Sequence, residues 1–169
     1  IAAYYQDAFG VALNPDNEVL PLMGSKEGIM HISMAFLNEG DGVLIPNPGY
    51  PTYASVTELV GARAVPYTLS AVTGWLPNLE ELAAQDLSGV KLMWVNYPHM
   101  PTGKTANLTF YKELVAFAEK HKILICHDNP YSFILNDNPL SIFQVPGAMS
   151  CCLELNSLSK TFNMAGWRV

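Results

Sequence analysis

Short apolar runs rich in β-branched residues alternate along this chain with stretches of helical periodicity, and turn-forming residues separate the two kinds of segment. This alternation is typical of repeated βαβ units, in which parallel strands form one sheet and helices cover both of its faces. The sequence therefore predicts an α/β fold of three layers, αβα, around a mostly parallel sheet. Ligands of such sheets bind in the loops that follow the strands.

Strands and helices can be assigned from these patterns. Strands are expected at residues 19–23, 42–46, 63–67, 91–95, 123–128 and 149–155. Helices are expected at residues 1–11, 25–37, 52–60, 78–84 and 107–121, the last with Asn107 as its N-cap. At 169 residues with 50% hydrophobic content, the chain is predicted to form a single domain, residues 1–169.

Composition narrows the range of partners. The formal net charge is −6 and no segment supplies a clustered basic face, so a nucleic-acid partner is not expected. The longest apolar run is far shorter than the ~20 residues of a membrane-spanning helix, which favours a cytoplasmic protein.

Three cysteines, Cys126, Cys151 and Cys152, fit neither a zinc site nor a disulfide framework, and no metal is expected. Cys151 and Cys152 are predicted to face opposite sides of a strand.

Two of the predicted loops have features of an anion site or a ring-binding site. Gly24-Ser25-Lys26 joins a glycine turn to the free amides of a helix N-terminus, which is an arrangement that binds anions. Taken alone, Ser25 is more simply an N-cap. In the proline-stiffened stretch 46–53, Tyr50 is held where it can stack on a flat ligand, although a rigid turn with aromatic packing explains the same residues.

The loop at residues 96–105 invites a nucleotide-binding interpretation. Gly103-Lys104-Thr105 resembles the end of a phosphate-binding P-loop, but the glycine required five residues earlier is replaced by Pro98. No Gly-x-Gly-x-x-Gly pattern follows any predicted strand either. Nucleotide hydrolysis and dinucleotide binding are therefore disfavoured.

The last two loops carry a carboxylate and an amine. Asp128 ends a buried apolar run, where a carboxylate is costly unless it meets a cation or hydrogen-bond donors, so it either faces a site or caps a turn. Lys160 follows Ser157 and Ser159 and precedes Arg168 by eight residues. A lysine beside an anion site has the parts of an imine-forming nucleophile, although an isolated lysine is ordinarily solvated and inert.

Together these segments resemble the class I/II aminotransferases, the aspartate aminotransferase superfamily, which is fold type I of the pyridoxal-phosphate (PLP) enzymes. The resemblance covers nearly the whole chain, and its most specific part is Ser157-x-Ser159-Lys160 followed by Gly166-x-Arg168. That stretch is most similar to the branch of diaminopimelate and aspartate aminotransferases. The resemblance implies that residues 1–169 are an incomplete large PLP-binding domain, with the N-terminal arm and the C-terminal small domain outside it.

The resemblance also implies a role for each candidate residue. Lys160 is the Schiff-base lysine, Asp128 contacts the pyridine nitrogen and Tyr131 the ring oxygen, and these three are the predicted catalytic residues. The predicted cofactor-binding residues are Gly24, Ser25, Lys26, Tyr50, Asn96, Asp128, Tyr131, Ser157, Ser159, Lys160 and Arg168. An ionised Asp128 would keep the ring nitrogen protonated, so that the ring can accept electron density from the substrate.

One position departs from the family pattern. Related enzymes have Asn-Pro-Thr-Gly where this chain has Met100-Pro101-Thr102-Gly103, and that asparagine contacts the ring oxygen. Methionine cannot donate this hydrogen bond, so Tyr131 makes the contact alone or a neighbour such as Asn96 or His99 compensates. An inactive or altered enzyme is the other interpretation.

Three functions share these residues. The first is an aminotransferase that acts on an amino acid and a 2-oxo acid, and the family implies a homodimer for it. The second is a carbon–sulfur β-lyase on the same fold, which uses the same lysine and aspartate. The third is a regulatory domain that resembles an aminotransferase and binds the cofactor without turnover.

Overall fold

The computed structural model describes all residues, 1–169, and its centre is a sheet of five parallel strands. The strands are β1 (Gly42–Asn47), β2 (Arg63–Thr68), β3 (Val90–Asn96), β4 (Leu124–Asp128) and β5 (Cys152–Leu155). Their order across the sheet is β2-β1-β3-β4-β5, and every neighbouring pair is parallel. The predicted α/β architecture and parallel sheet are confirmed.

Seven α-helices accompany the sheet. They are α1 (Ala2–Phe9), α2 (Ser25–Phe36), α3 (Pro51–Leu59), α4 (Leu79–Ala83), α5 (Leu108–His121), α6 (Ala148–Cys151) and α7 (Leu158–Thr161), and short 3-10 helices lie at Ile142–Gln144 and Ala165–Trp167. Asn107 caps α5 as expected, since its side chain accepts a hydrogen bond from the backbone N–H of Phe110 at 2.8 Å. No helix combines the length and the apolar character needed to cross a membrane.

The two faces of the sheet carry separate apolar cores, because successive side chains of a strand point to opposite sides. One core joins alternate strand residues to α2 and α3, and its strand members are Val43, Ile45, Leu92, Trp94, Cys126 and Leu155. The other joins the intervening residues to α4, α5 and α6, and its strand members include Leu44, Met93, Val95 and Ile125. The molecule therefore has the predicted helix–sheet–helix layers, and Asp128 lies on the α2/α3 side.

The strand predicted at residues 19–23 does not form. This segment is irregular, and Leu20 and Met23 are exposed while Leu22 packs against the α2/α3 core. Pro21 removes a backbone donor, and the segment pairs with no strand of the sheet. The loop at Gly24 therefore precedes α2 without following a strand.

The strand predicted at residues 149–155 is only half correct. Gly147, at φ 88°, begins the short helix α6, and the strand starts only at Cys152. Cys151 ends that helix, so the two cysteines are not on opposite faces of a strand, and their sulfur atoms lie 3.8 Å apart. A single turn of helix supplies no periodicity that a sequence could reveal.

Candidate cofactor-binding site

Asp128 is the buried acidic residue at the carboxyl end of the sheet. It ends β4, is 5% exposed, and its Oδ2 accepts a hydrogen bond from the phenol of Tyr53 at 2.7 Å. Its Oδ1 is buried and has no partner. Burial raises the pKa of Asp128 to about 6, although the Tyr53 hydrogen bond and the nearby His127 act to lower it. One carboxylate oxygen is thus available to a cationic donor.

Asn96 links the ends of two neighbouring strands. Its Nδ2 donates to the backbone oxygen of Asp128 at 2.7 Å, and its Oδ1 accepts from the backbone N–H of Met100 at 2.8 Å. Asn96 is also paired with Asp128 in the register of β3 and β4. These bonds fix the backbone that carries Asp128 and the start of the loop that contains Met100.

Tyr131 lies in the turn that follows β4, where it is partly exposed. Burial raises its pKa, and the nearby carboxylate of Asp128 raises it further. A raised pKa keeps the Tyr131 phenol protonated. The side chain can therefore donate a hydrogen bond near Asp128.

Tyr50 immediately precedes α3 and contacts side chains of both α3 and α2. Its ring meets that of Tyr53 edge to face, with centroids 5.6 Å apart. Nζ of Lys26 lies 5.7 Å from the Tyr50 ring centroid, within the range of a cation–π interaction. This contact connects the first turn of α2 to the loop of Tyr50.

Gly24 and Arg168 meet at the start of α2. Gly24 adopts φ 107°, a conformation that favours glycine, and a Cβ built there would collide with the guanidinium of Arg168. No side chain caps α2, so its first amides, beginning at Ser25, are left for another acceptor. A helix N-terminus and an arginine thus come together as the sequence suggested, and both attract anions.

Ser157 and Ser159 lie beside this cradle in the turn that leads into α7. Oγ of Ser157 accepts from the backbone N–H of Ser159 at 3.2 Å and donates to the backbone oxygen of Val169 at 3.3 Å. These contacts hold the segment of Arg168 against the start of α7. Ser157 therefore shapes the cradle through backbone contacts.

Lys160 lies in α7, five residues after Leu155, which pairs with Asp128 across β4 and β5. Its side chain is exposed and makes no hydrogen bond or ion pair within the chain. The pairing of β4 with β5 thus places the segment that carries Lys160 next to the segment that carries Asp128 and Tyr131. Phe162, two residues on, meets Tyr4 of α1 at 6.1 Å between ring centroids, and Tyr4 also meets Phe133, so α1 contacts both loops.

Tyr53 is the residue near Asp128 that the sequence did not reveal. It lies in the first turn of α3, 75 positions from its partner along the chain. Helical periodicity explains its burial without any polar partner, so the sequence contained no signal for the contact. Its position three residues after Tyr50, on the same side of a helix start, is the one feature that pointed towards the site.

The P-loop interpretation is wrong for this fold. Gly103 and Lys104 lie in an irregular segment, and α5 begins only at Leu108, whereas a P-loop lysine belongs to the first turn of a helix. A cavity of about 870 Å³ is mostly apolar and is lined by α1, α2 and β5. It touches the candidate site through Gly24, Ser25 and Ser157, and Asp128 does not line it.

Comparison with known proteins decides the family. The sequence profile described as "Aminotransferase class I and II" matches residues 1–169. The chain belongs to this family. The fold type and the aminotransferase relationship predicted from the sequence are therefore confirmed. Enzymes of this family use PLP, which agrees with the predicted cofactor.

Individual aminotransferases match along the whole chain. LL-diaminopimelate aminotransferase of Dehalococcoides mccartyi strain BAV1 is 48% identical over 171 residues, which cover 100% of this chain and 44% of that protein. Substrate-bound BacF of Bacillus subtilis has a TM-score of 0.94 at 41% identity, and the match covers 99% of this chain and 43% of BacF. A probable N-succinyldiaminopimelate aminotransferase of Thermus thermophilus has a TM-score of 0.91 at 34% identity, covering 99% and 45%. The chain spans less than half the length of these relatives.

Proposed function

We propose that residues 1–169 are the PLP-binding part of an aminotransferase that moves an amino group between an amino acid and a 2-oxo acid. The unpartnered, buried Oδ1 of Asp128 at the end of β4 is the observation that carries this proposal. A buried carboxylate with an open oxygen is suited to a protonated ring nitrogen. The family membership supports the same conclusion.

The residues present fit the cofactor at both of its ends. The first amides of α2 with Arg168 and the serines at 157 and 159 form the place for the phosphate, and Gly24 keeps that place free of a side chain. Asp128 and Tyr131 provide an acceptor and a donor for the ring, and Tyr50 supplies an aromatic face beside them. Asn96 acts indirectly, by fixing the backbone of Asp128.

Each side chain then has a chemical task. The bound cofactor supplies a carbonyl that condenses with amines and an electron-poor ring that stabilises negative charge on the substrate α-carbon. Nζ of Lys160 would hold the cofactor between turnovers and, when free and neutral, would take the proton from that carbon. The carboxylate of Asp128 would keep a proton on the ring nitrogen, and the protonated phenol of Tyr131 would donate to the ring oxygen.

The names of the relatives suggest a substrate. Several relatives between 44% and 48% identical to this chain are LL-diaminopimelate aminotransferases, so LL-diaminopimelate is the first amino donor to test. A homodimer is proposed on the family pattern alone. An assay of the intact protein with a panel of amino donors and 2-oxo acids tests the activity. Amino-group exchange that requires both substrates is expected, whereas pyruvate and ammonia formed from cystathionine without an acceptor would indicate a β-lyase.

PLP binding without turnover on any pair of substrates would contradict the aminotransferase proposal and favour a regulatory domain. Such a result would have to be obtained with protein that takes up the cofactor fully. The degree of uptake can be read from the absorption of the bound cofactor.

A further inference from the structure

We infer that Tyr53 is a positioning residue: by donating to Oδ2 of Asp128 it turns Oδ1 towards the cofactor and keeps the proton on the ring nitrogen. This inference rests on the proposed function. The phenol oxygen lies 2.7 Å from Oδ2, and both side chains are buried, at 1% and 5% exposure. Water therefore does not compete for this hydrogen bond.

The Tyr53 ring is held in place on several sides. It stacks on Trp94, with centroids 5.0 Å apart and ring planes within 7°, and the Tyr50 ring meets it edge to face. Oγ1 of Thr57 donates to the backbone oxygen of Tyr53 at 2.7 Å. The phenol is therefore fixed before any ligand binds, and a fixed donor loses little entropy in making its bond.

The hydrogen bond divides the tasks of the two carboxylate oxygens. Oδ2 is used by the phenol, and Oδ1 has no partner within the chain. Rotation of the carboxylate would break the Tyr53 bond inside an apolar environment, which is costly. Oδ1 is thus the oxygen presented to a ligand.

The same bond controls where a shared proton resides. Burial favours the neutral acid and raises the pKa of Asp128, whereas the Tyr53 hydrogen bond favours the carboxylate and acts to lower it. Burial and the charge of Asp128 raise the pKa of Tyr53 well above its ordinary value, so the phenol remains the donor. Without Tyr53, a proton between Asp128 and the ring nitrogen would shift towards the carboxylate.

The experiment compares Tyr53→Phe with Tyr67→Phe in the intact protein loaded with PLP that carries ¹⁵N in its ring. Tyr67 is a matched control, because its phenol is also buried and donates a hydrogen bond of 2.8 Å, but to the backbone oxygen of Trp94. The nitrogen resonance separates a protonated from an unprotonated ring. We expect wild type and Tyr67→Phe to show the protonated ring, and Tyr53→Phe to shift towards the unprotonated position.

Turnover gives a second measurement. A tenfold change in the equilibrium that places the proton on the ring nitrogen rather than on Asp128 should lower kcat about tenfold in Tyr53→Phe. KM should change less than about twofold. A wild-type resonance and wild-type kcat in Tyr53→Phe would overturn the inference. If that variant fails to fold, fluorotyrosine at position 53, a stronger donor of the same shape, should keep the ring nitrogen protonated to a higher pH than in wild type, and loss of the ring proton at the wild-type pH would count against the inference.

The outcomes separate this inference from the proposed function. Wild-type protein that binds no PLP would contradict the proposed function itself. If wild-type protein binds PLP with a protonated ring, and the Tyr53→Phe variant has the same nitrogen resonance and the same kcat, only the role of Tyr53 is contradicted.

Discussion

Nδ1 of His127 lies 2.7 Å from Oε2 of Glu154, and both side chains are fully buried on the face of the sheet opposite Asp128. Glu154 also accepts hydrogen bonds from Tyr5 of α1, from the hydroxyl of Ser141 and from the backbone N–H of Ile142. The Glu154 carboxylate thus connects β4, β5, α1 and the segment before α6. These contacts lie directly beside the strand ends that carry the candidate site.

Replacement of Glu154 by alanine should strongly destabilise the protein. The change leaves His127, Tyr5 and Ser141 buried without their acceptor, and removing one member of such a buried pair costs about 3–5 kcal/mol. Urea unfolding of the intact protein measures the loss. The exposed Glu58→Ala variant is the control and should change the free energy of unfolding by less than about 0.5 kcal/mol. Equal effects of the two variants would show that the Glu154 contacts do not stabilise the fold.

Asp128→Asn should stabilise the protein when no cofactor is bound. The folded carboxyl has a pKa of about 6 against 3.8 as the ordinary value, so the folded state binds its proton more tightly than the unfolded state does. The free energy of unfolding contributed by Asp128 therefore falls as pH rises from about 4 to about 6, and stays low above that. The asparagine variant avoids this loss.

The expected gain follows from the size of the shift. About two pKa units correspond to up to about 3 kcal/mol at about pH 7.5, and the gain should disappear below about pH 4, where both side chains are neutral. Unfolding curves of the cofactor-free protein at several pH values measure the difference between variant and wild type. A difference that does not depend on pH would contradict the burial of a titrating carboxyl.

Gly24→Ala should weaken cofactor binding. The new methyl group meets the Arg168 guanidinium, and the backbone at φ 107° is unfavourable for alanine, so the anion cradle must move. A loss of affinity for PLP of about tenfold or more is expected, as measured by absorbance titration. Gly40→Ala is the control, since Gly40 also has a positive φ of 84° but faces open space. Equal affinities in the two variants would place the phosphate elsewhere.

Met100→Asn tests the position that departs from the family pattern. The asparagine should regain a donor to the cofactor's ring oxygen, which Asn96 cannot readily replace because its side chain already bonds to the backbone of Asp128 and Met100. One added hydrogen bond is worth about 1 kcal/mol, so about fivefold tighter binding of PLP is expected. Met100→Leu, of similar volume, should bind PLP as the wild type does. Identical affinities in both variants would show that residue 100 does not face the ring.

The layers of the fold could be predicted because they depend on local patterns. The apolar runs of β1, β3 and β4, the Asn107 cap and the glycine before α2 each specify an element within a few residues. The false strand at residues 19–23 shows the limit of this approach, since a short apolar alternation forms a strand only when a partner strand lies beside it. Whether a partner is present depends on the whole fold.

The candidate site could be predicted in part for the same reason. Strand ends and a glycine turn before a helix mark where ligands bind, and the resemblance named the residues at those places. The pairs Tyr53–Asp128 and His127–Glu154 join residues 75 and 27 positions apart, and each partner alone resembles an ordinary core or strand residue. Only the three-dimensional arrangement shows that their polar atoms meet.

Chemical trapping on Lys160 tests the proposed function most directly. Borohydride reduction of the intact protein loaded with PLP, followed by peptide mass analysis, should find the cofactor covalently attached to Lys160. Lys160→Ala should abolish trapping and amino-group transfer, whereas Lys104→Ala, which alters an exposed lysine of the loop before α5, should retain both. Attachment at any other lysine, or transfer that survives in Lys160→Ala, would contradict the assignment of Lys160.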